Sequence, residues 1–308
     1  MQYTKVPLSI DEQAQRLMDR GLLCANPDRL KHYLAHIGYY RLSAYWLPFE
    51  QPSAGEGRRN HKFLPGTTFD RMLNLYIFDR KLRLLVMDAI ERIEVAVRTR
   101  WAGAMALRHG AHAHMQSALF KNPWKHTSDL ARVSGELEAS SETFVIHYRS
   151  RYTEPFLPPI WAVVETMSLG TLSRWVSNTR DNEVKKEIMQ NLQLPTVEIL
   201  EKVLHTFTPM RNVCAHHGRL WNRRFAMSLP DIKRLRDRMV QPEAPHHQAH
   251  YLFNYLVVIE YLMSVINPRG SWKRRLVELL DSVGDAERQA MGFPPDWKAR
   301  SPWQEVQP

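Results

Sequence analysis

Cysteine is scarce in this chain, and its scarcity excludes a disulfide-stabilised fold. Only two cysteines, Cys24 and Cys214, occur among 308 residues. Two thiols cannot form the several bridges that small secreted domains need, so the composition favours a reducing, cytoplasmic location. Cys214 lies inside a strongly polar run but has no evident partners for a nucleophilic triad, which favours a small buried filler over a reactive thiol.

Long apolar runs are also missing. The most apolar segment, residues 251–266, is interrupted by Asn254 and Glu260. It is shorter than the roughly 20 residues that cross a bilayer, so it predicts a buried core helix. The amino terminus is polar and lacks the apolar core of a signal peptide, so we expect neither a leader peptide nor a membrane partner.

No strands that alternate with helical segments can be recognised in the sequence, which excludes parallel-sheet folds. Several helix starts are marked in the sequence. Ser9 and Glu12 have the spacing of a capping box, Asn26 precedes Pro27 at a first helical position, and Thr196 is placed to cap a later helix.

The middle of the chain predicts further helices. Residues 67–109 have a helical pattern without a proline, and a single rod of that length would reach about 60 Å, so we expect a bend, a break or two helices. A polar helix is predicted from Thr127 or Ser128. Another is predicted over residues 161–168, with Gly170 ending it and Thr171 capping the next.

Basic residues exceed acidic ones by 42 to 32, which gives a net charge of +10. Such a surface attracts polyanions, whether RNA, DNA or an anionic membrane. Half of the excess falls in residues 219–238, where seven basic side chains stand against two acidic ones. This run is suited to holding a nucleic-acid backbone, and the competing interpretation is a solvated helix face.

The densest polar run, residues 211–223, follows an apolar helical pattern that begins near Val197. Asn212 and His216 are four residues apart and therefore share a helix face, and Arg219 continues that row. Arg211 starts one residue off the row, but its side chain is long enough to reach His216. Pro209 should loosen or kink the helix just before the run.

These residue types suit phosphodiester chemistry on RNA, whose 2′-OH can attack its own phosphate. His216 can take or give a proton without a metal, and Arg211 offers a planar fork of donors to the phosphate oxygens. Asn212 can hold a phosphate or orient the imidazole. The competing interpretation is structural, because a histidine at a helix end more often caps carbonyls or completes a core contact.

The run resembles two known patterns. Arg211-Asn212-x-x-x-His216 is similar to the R-N-x-x-x-H signature of HEPN ribonucleases, and residues 211–223 as a whole resemble the Abi-like family of bacterial abortive-infection proteins of the AbiD/AbiF type. Further similarities are carried by residues 7–10, 37–43, 69–70, 78–80, 88–95 and 157–161. The resemblance thus extends from about the first residues to Arg223.

The resemblance implies an all-α fold with a HEPN-like helical bundle, and a metal-independent endoribonuclease that acts in phage defence, with no cofactor and no metal. Its catalytic residues would be Arg211, Asn212 and His216. The residues expected to hold RNA are His217, Arg219, Asn222 and Arg223. HEPN sites form where two motif copies meet, and this chain has one copy, so the resemblance also implies a homodimer. A regulatory non-coding RNA or an antitoxin is a further partner that the sequence leaves open.

We expect three segments: an N-terminal helical layer over residues 1–66, a HEPN-like core over 67–240 and C-terminal helices with a tail over 241–308. Two other functions compete with the nuclease. One is a non-catalytic RNA-binding regulator that uses the same basic face, and the other is a helical scaffold for a protein partner.

Three other groups of residues allow a functional or a structural interpretation. The aromatics of residues 39–46 could stack on bases, although core packing is favoured. Glu91, Arg92 or Arg98 could orient Arg211 or His216, although a solvated helix face is favoured. The histidines of residues 109–114 and 246–250 lack interleaved third ligands, so we expect no metal there.

Overall fold

The computed structural model describes residues 2, 6–52, 60–241 and 250–305, and these form helices joined by loops. No β-strand occurs in these ranges, where strand-like pairing is limited to three isolated bridges. The α-helices are α1 (Ile10–Asp19), α2 (Pro27–Ile37), α3 (Tyr39–Trp46), α4 (Phe69–His109), α5 (Pro123–Glu138), α6 (Thr143–Arg151), α7 (Ile160–Thr166), α8 (Leu169–Asn178), α9 (Asn182–Asn191), α10 (Val197–Ala215), α11 (Leu252–Ile266), α12 (Trp272–Asp281) and α13 (Asp285–Gln289). The predicted all-α class is confirmed.

Contacts between Cα atoms divide the chain into two compact units, Met1–Lys81 and Leu82–Pro308. The boundary falls within α4. The three-segment division expected from the sequence stays a prediction.

Local signals determine the helix ends of the smaller unit. Ser9 Oγ accepts a hydrogen bond from the Glu12 amide at 3.3 Å, and the Glu12 carboxylate accepts one from the Ser9 amide at 2.7 Å. This is the predicted capping box of α1. Gly21, at φ 94°, follows the helix in the left-handed conformation that glycine adopts without strain. Asn26 caps α2, with Pro27 at its first position, as predicted.

The aromatic run of residues 39–46 forms α3 and contributes mainly to packing. Tyr45 and Trp46 are buried, and the Tyr45 hydroxyl donates a hydrogen bond to Asp79 at 2.5 Å. Tyr40 differs, because it is 91% exposed. The expected core role is therefore confirmed for Tyr45 and Trp46 alone.

The long helix α4 is one continuous element of 41 residues, so the prediction of a break or of two helices was wrong. No proline interrupts it, and Gly103 is the one glycine within it. Its buried residues in the larger unit recur at helical spacing and include Leu82, Val86, Ile90, Ile93, Val97 and Trp101. This apolar stripe stabilises the part of α4 that lies in the larger unit.

Helices α8 and α10 pack against each other, and their contact explains a wrong prediction. Gly170 was expected to end one helix and Thr171 to cap the next, but both lie inside α8, which Ser168 caps. A Cβ atom at Gly170 would lie only 3.2 Å from the Thr208 methyl group on α10. The glycine therefore permits close helix packing and does not stop a helix.

Helix α5 begins four residues before the earlier of its two predicted starts. Asn122 Oδ1 accepts a hydrogen bond from the Lys125 amide at 3.0 Å, and Pro123 occupies the first helical position. The Asn-Pro signal that opens α2 is therefore repeated here and was overlooked. The sequence also predicts a surface loop over residues 51–66 and a proline- and histidine-containing linker over 241–247. Residues 53–59 of the loop and 242–247 of the linker lie outside the described residues.

The apolar segment of residues 251–266 forms α11, which is buried on nearly every side from Leu252 to Met263. Its polar Asn254 is satisfied because its carboxamide accepts from the Val240 amide at 2.8 Å and donates to the Val240 carbonyl at 2.7 Å. The predicted core helix is confirmed. Within the described ranges, no helix combines the length and apolar character needed to cross a membrane.

Candidate active site

Helix α10 carries the polar run to a fixed position. Thr196 caps the helix by accepting from the Ile199 amide at 3.3 Å, and the helix continues through Pro209 to Ala215. Its buried face comprises Leu200, Val203, Leu204, Thr206, Phe207, Met210 and Cys214. Burial of this face against the larger unit fixes the direction in which the carboxyl end points.

The carboxyl end of α10 closes in a Schellman motif. The His217 amide donates to the Cys214 carbonyl at 3.1 Å, and the Gly218 amide donates to the Val213 carbonyl at 2.8 Å. His217 occupies the left-handed position at φ 56°, where glycine is usual. Such a conformation costs a residue with a Cβ about 1–2 kcal/mol, which is strain of the kind found at functional sites.

The predicted catalytic side chains lie at the surface. Asn212 and His216 are exposed, and neither side chain has a hydrogen-bond partner among the described residues. The two are joined through the backbone, because the His216 amide donates to the Asn212 carbonyl at 2.9 Å. Arg211 is half-buried, with 26% of its side chain exposed. An amide and an imidazole are therefore open to a ligand beside a partly sheltered guanidinium.

A buried carboxylate on α4 lies behind Arg211. Glu94 Oε1 accepts a hydrogen bond from Arg98 Nη2 at 2.7 Å, while its Oε2 lies 3.8 Å from Arg211 Nε. That second distance is an ion pair but too long for a hydrogen bond, and the buried Arg211 Nε has no hydrogen-bond partner in the described part of the chain. Arg211 is therefore held electrostatically and keeps hydrogen-bonding capacity.

Burial raises the pKa of the Glu94 carboxyl, and the nearby Arg98 and Arg211 oppose this rise. Arg98 also donates to the Met167 carbonyl at 2.7 Å, which ties α4 to the segment before α8. Of the charged residues on α4 considered from the sequence, Arg98 thus shares a carboxylate with Arg211, whereas Arg92 pairs with Asp88 at 3.1 Å. The four-residue spacing of Glu94 and Arg98 predicts that they pair, as they do, but nothing in the sequence indicates the link from Glu94 to Arg211.

Residues 218–223 fold back beside the end of α10. Arg223 Nε donates to the Arg219 carbonyl at 2.7 Å, and the Arg219 guanidinium lies 6.0 Å from the centre of the Trp221 ring. Asn222 adopts φ 51°, a second left-handed residue in this short segment. These three predicted RNA-holding residues are half-buried, while His217 is exposed. The turn therefore brings two cations back toward the helix end.

The rest of the basic run does not form the helix face that was considered. Residues 219–232 are irregular, and Lys233–Arg238 forms a 3-10 helix. Arg236 is paired with Asp231, and the Arg234 guanidinium lies 4.6 Å from the centre of the Tyr261 ring. Part of the local positive charge is therefore engaged within the protein.

Other residues considered from the sequence are placed elsewhere. Cys214 is buried, which agrees with its expected role as a filler. His114 is fully buried on the segment after α4, and among the described residues no three histidine, cysteine or acidic side chains are grouped to hold a metal ion. His246 and His247 lie outside the described ranges.

The fold and site define an all-α protein in which a buried helix presents an arginine, an amide and a histidine at its end. A family model described as Abi-like protein matches residues 32–222. This match covers more than half of the chain, so the chain belongs to the Abi-like family, and membership indicates a role in abortive infection. The matched range includes Arg211, Asn212 and His216 but not residues 7–10. No curated protein and no solved structure gives a significant match.

Proposed function

We propose that this protein is a metal-independent endoribonuclease of the HEPN type that acts in the cytoplasm during abortive infection. The observation that carries the proposal is the end of α10. There Arg211 is anchored beside the buried Glu94, while Asn212 and His216 stay exposed on one helix face. This arrangement supplies a phosphate-binding cation and a proton-transfer group that a polynucleotide can reach.

In the proposed reaction the ribose 2′ oxygen bonds to the adjacent phosphorus while its proton passes to His216. The bond from phosphorus to the 5′ oxygen then breaks, and that oxygen takes up a proton. The products are a 2′,3′-cyclic phosphate and a 5′ hydroxyl. Arg211 stabilises the extra negative charge of the phosphorane, and Asn212 orients the imidazole or the phosphate. DNA, which has no 2′ hydroxyl, is not a substrate.

One chain carries one copy of the motif and so one motif histidine, while the reaction needs both a base and an acid. A homodimer in which two motif copies meet would supply both groups. His217, Arg219, Asn222 and Arg223 would hold the RNA backbone on either side of the cut. Arg219 and Arg223 lie next to the helix end, which supports this role.

A cleavage assay on labelled total RNA in the presence of EDTA tests the proposal. Wild-type protein should cut, and His216→Ala and Arg211→Ala should each lower the rate about 100-fold or more. His147→Ala is the matched control, because His147 is an exposed histidine on α6, and it should cut like the wild type. Circular dichroism would verify that each variant is folded.

Two results would overturn the proposal. One is undiminished cutting by folded His216→Ala and Arg211→Ala. The other is salt-dependent RNA binding by a wild-type protein that never shortens RNA, which would favour the non-catalytic RNA-binding regulator.

A further inference from the structure

A polar cleft of about 590 Å³ lies between α5, α8 and α10. Every residue that lines it is polar or charged, including Lys125, Ser128 and Arg132 of α5, Ser173 of α8 and His205 of α10. Its volume suits a ligand of a few rings, and its polar and charged side chains favour a polar ligand over a lipid. The cleft is therefore suited to a charged, hydroxyl-bearing ligand.

The frame of the cleft is rigid because its carboxylates are already paired. Asp129 accepts from Arg174 Nε at 2.9 Å and from Arg174 Nη2 at 2.7 Å. Glu201 accepts from the buried Lys185 at 3.0 Å and from the Ser177 hydroxyl at 3.2 Å. These pairs join α5 to α8 and join α10 to α8 and α9, and they leave other groups for a ligand.

Several groups that line the cleft remain available. Lys125 makes no ion pair within the described ranges, and Arg132 approaches Asp129 only at 3.7 Å. Ser173 is 6% exposed, yet its hydroxyl has no hydrogen-bond partner in the described part of the chain. An unpartnered hydroxyl beside the unpaired Lys125 and the loosely paired Arg132 is a pattern that a sugar phosphate would complete.

The cleft shares a helix face with the candidate active site. Asn212 and His216 follow His205 by seven and eleven residues, so both lie within about 20° of it around α10. Along the helix axis they lie about 10 Å and 16 Å beyond it. A single strand bound at His216 and extending along this face would therefore reach the cleft.

An exposed aromatic side chain is the chain neighbour of the lining residue Lys125. Trp124 lies between the lining residue Lys125 and the helix cap Asn122, and it is 84% exposed. An indole open to solvent next to cations is the pairing with which proteins stack bases of single strands. This feature favours a polynucleotide over a free nucleotide.

We propose that this cleft binds a nucleotide of the RNA strand that extends along α10 from the cut. Lys125 and Arg132 bind the phosphate of this nucleotide, and the Ser173 hydroxyl forms a hydrogen bond with its sugar. His205 and Trp124 contact bases. This inference rests on the proposed function, because it takes the substrate to be RNA held along α10.

Fluorescence anisotropy with a labelled ten-nucleotide RNA tests the inference in the His216→Ala background, where cutting is blocked. Adding Lys125→Ala and Arg132→Ala together should weaken binding about tenfold or more, the scale of a lost charge-assisted hydrogen bond. The matched control adds Arg151→Ala and Arg269→Ala, two exposed cations away from the cleft lining. It should bind nearly as the parent does. Equal weakening in both pairs, or in neither, would overturn the inference.

Adenosine monophosphate as competitor distinguishes the two sources of a nucleotide. We expect the monophosphate to displace the RNA only at a much higher concentration. Trp124→Ala should weaken RNA binding and leave the affinity for the monophosphate unchanged. Equal affinity of the monophosphate and the RNA would overturn the assignment to a polynucleotide.

The outcome is separable from that of the proposed function. If the wild-type protein does not cut RNA but the cleft variants lose RNA binding, the nuclease is rejected and the cleft remains a binding site. Cutting by the wild type with unchanged binding in the cleft variants would reject the cleft alone.

Discussion

Two groups of histidines in the larger unit differ in how deeply they are buried. His114 is fully buried, and neither ring nitrogen has a hydrogen-bond partner among the described residues. Burial lowers its pKa to about 3, and it also lowers the pKa of His126, whose Nε2 lies 2.7 Å from the His114 carbonyl. His216 and His217, at the end of α10, are instead exposed.

The difference teaches that a histidine-rich sequence alone does not mark a proton-transfer site. A buried neutral imidazole is a packing group, since protonating it would place a charge in an apolar setting. An imidazole in water beside a cation and an amide is suited to move protons. Changes in the first group should therefore affect stability, and changes in the second should affect cutting.

The largest effect in the exposed group is expected for Arg211→Lys. It keeps the charge but removes the planar fork, so phosphorane stabilisation should fall and the rate should drop about 100-fold. Initial rates on a defined RNA would measure this. Arg224→Lys, a change at an exposed arginine of the same basic run, should have little effect. A rate for Arg211→Lys equal to that of the wild type would remove Arg211 from the site.

The buried group should control acid stability. Because burial lowers the folded-state pKa of His114 to about 3, the histidine contributes stability above its unfolded pKa near 6.5, and this is lost as pH falls toward 3. At pH 5 the loss is about 2 kcal/mol.

Urea unfolding at pH 7 and pH 5 tests this assignment. His114→Leu should reduce the difference between the two free energies of unfolding, whereas His216→Ala should leave it unchanged. An unchanged difference in His114→Leu would show that the buried histidine does not set the acid response.

A smaller effect is expected for Glu94→Gln, which alters the buried support of the exposed group. The neutral amide keeps a hydrogen-bond acceptor for Arg98 but no longer attracts Arg211, so kcat should fall about tenfold with KM little changed. Glu165→Gln is the matched control, because Glu165 is an exposed acid that lies 3.5 Å from Arg98. A fall confined to KM would place Glu94 in RNA binding instead.

The smallest effect is expected for His217→Gly. Glycine adopts the left-handed conformation without strain, so the free energy of unfolding should rise by about 1 kcal/mol. His216→Gly is the control, since His216 has φ −89° and gains nothing from glycine. A loss of stability in His217→Gly would show that the imidazole contributes contacts that outweigh the strain.

Local chemistry allowed much of the fold to be predicted from the sequence. The caps at Ser9, Asn26 and Thr196 are determined by residues within one turn, and each was predicted correctly. The apolar spacing from Val197 onward also predicted that a buried helix would lead into residues 211–216. The prediction for Gly170 was wrong, because the glycine is needed for a contact with Thr208 on another helix.

The site could be predicted only in part, for a similar reason. Arg211, Asn212 and His216 were selected by their spacing, which the sequence shows directly. The pairing of Arg211 with Glu94 joins two helices that are distant in the chain, so no spacing reveals it. The cleft is likewise assembled from α5, α8 and α10, and none of these segments alone indicates a binding site.

The central claim is that the ribose hydroxyl of the RNA is the nucleophile and His216 its base. The most direct measurement is product analysis on two matched RNAs, one of them with a single 2′-deoxy sugar on the 5′ side of the mapped cut. The account predicts a 2′,3′-cyclic phosphate and a 5′ hydroxyl from the first RNA, and no cut at that position in the second. Cleavage of the deoxy-substituted RNA, or products with a 3′ hydroxyl and a 5′ phosphate, would contradict it.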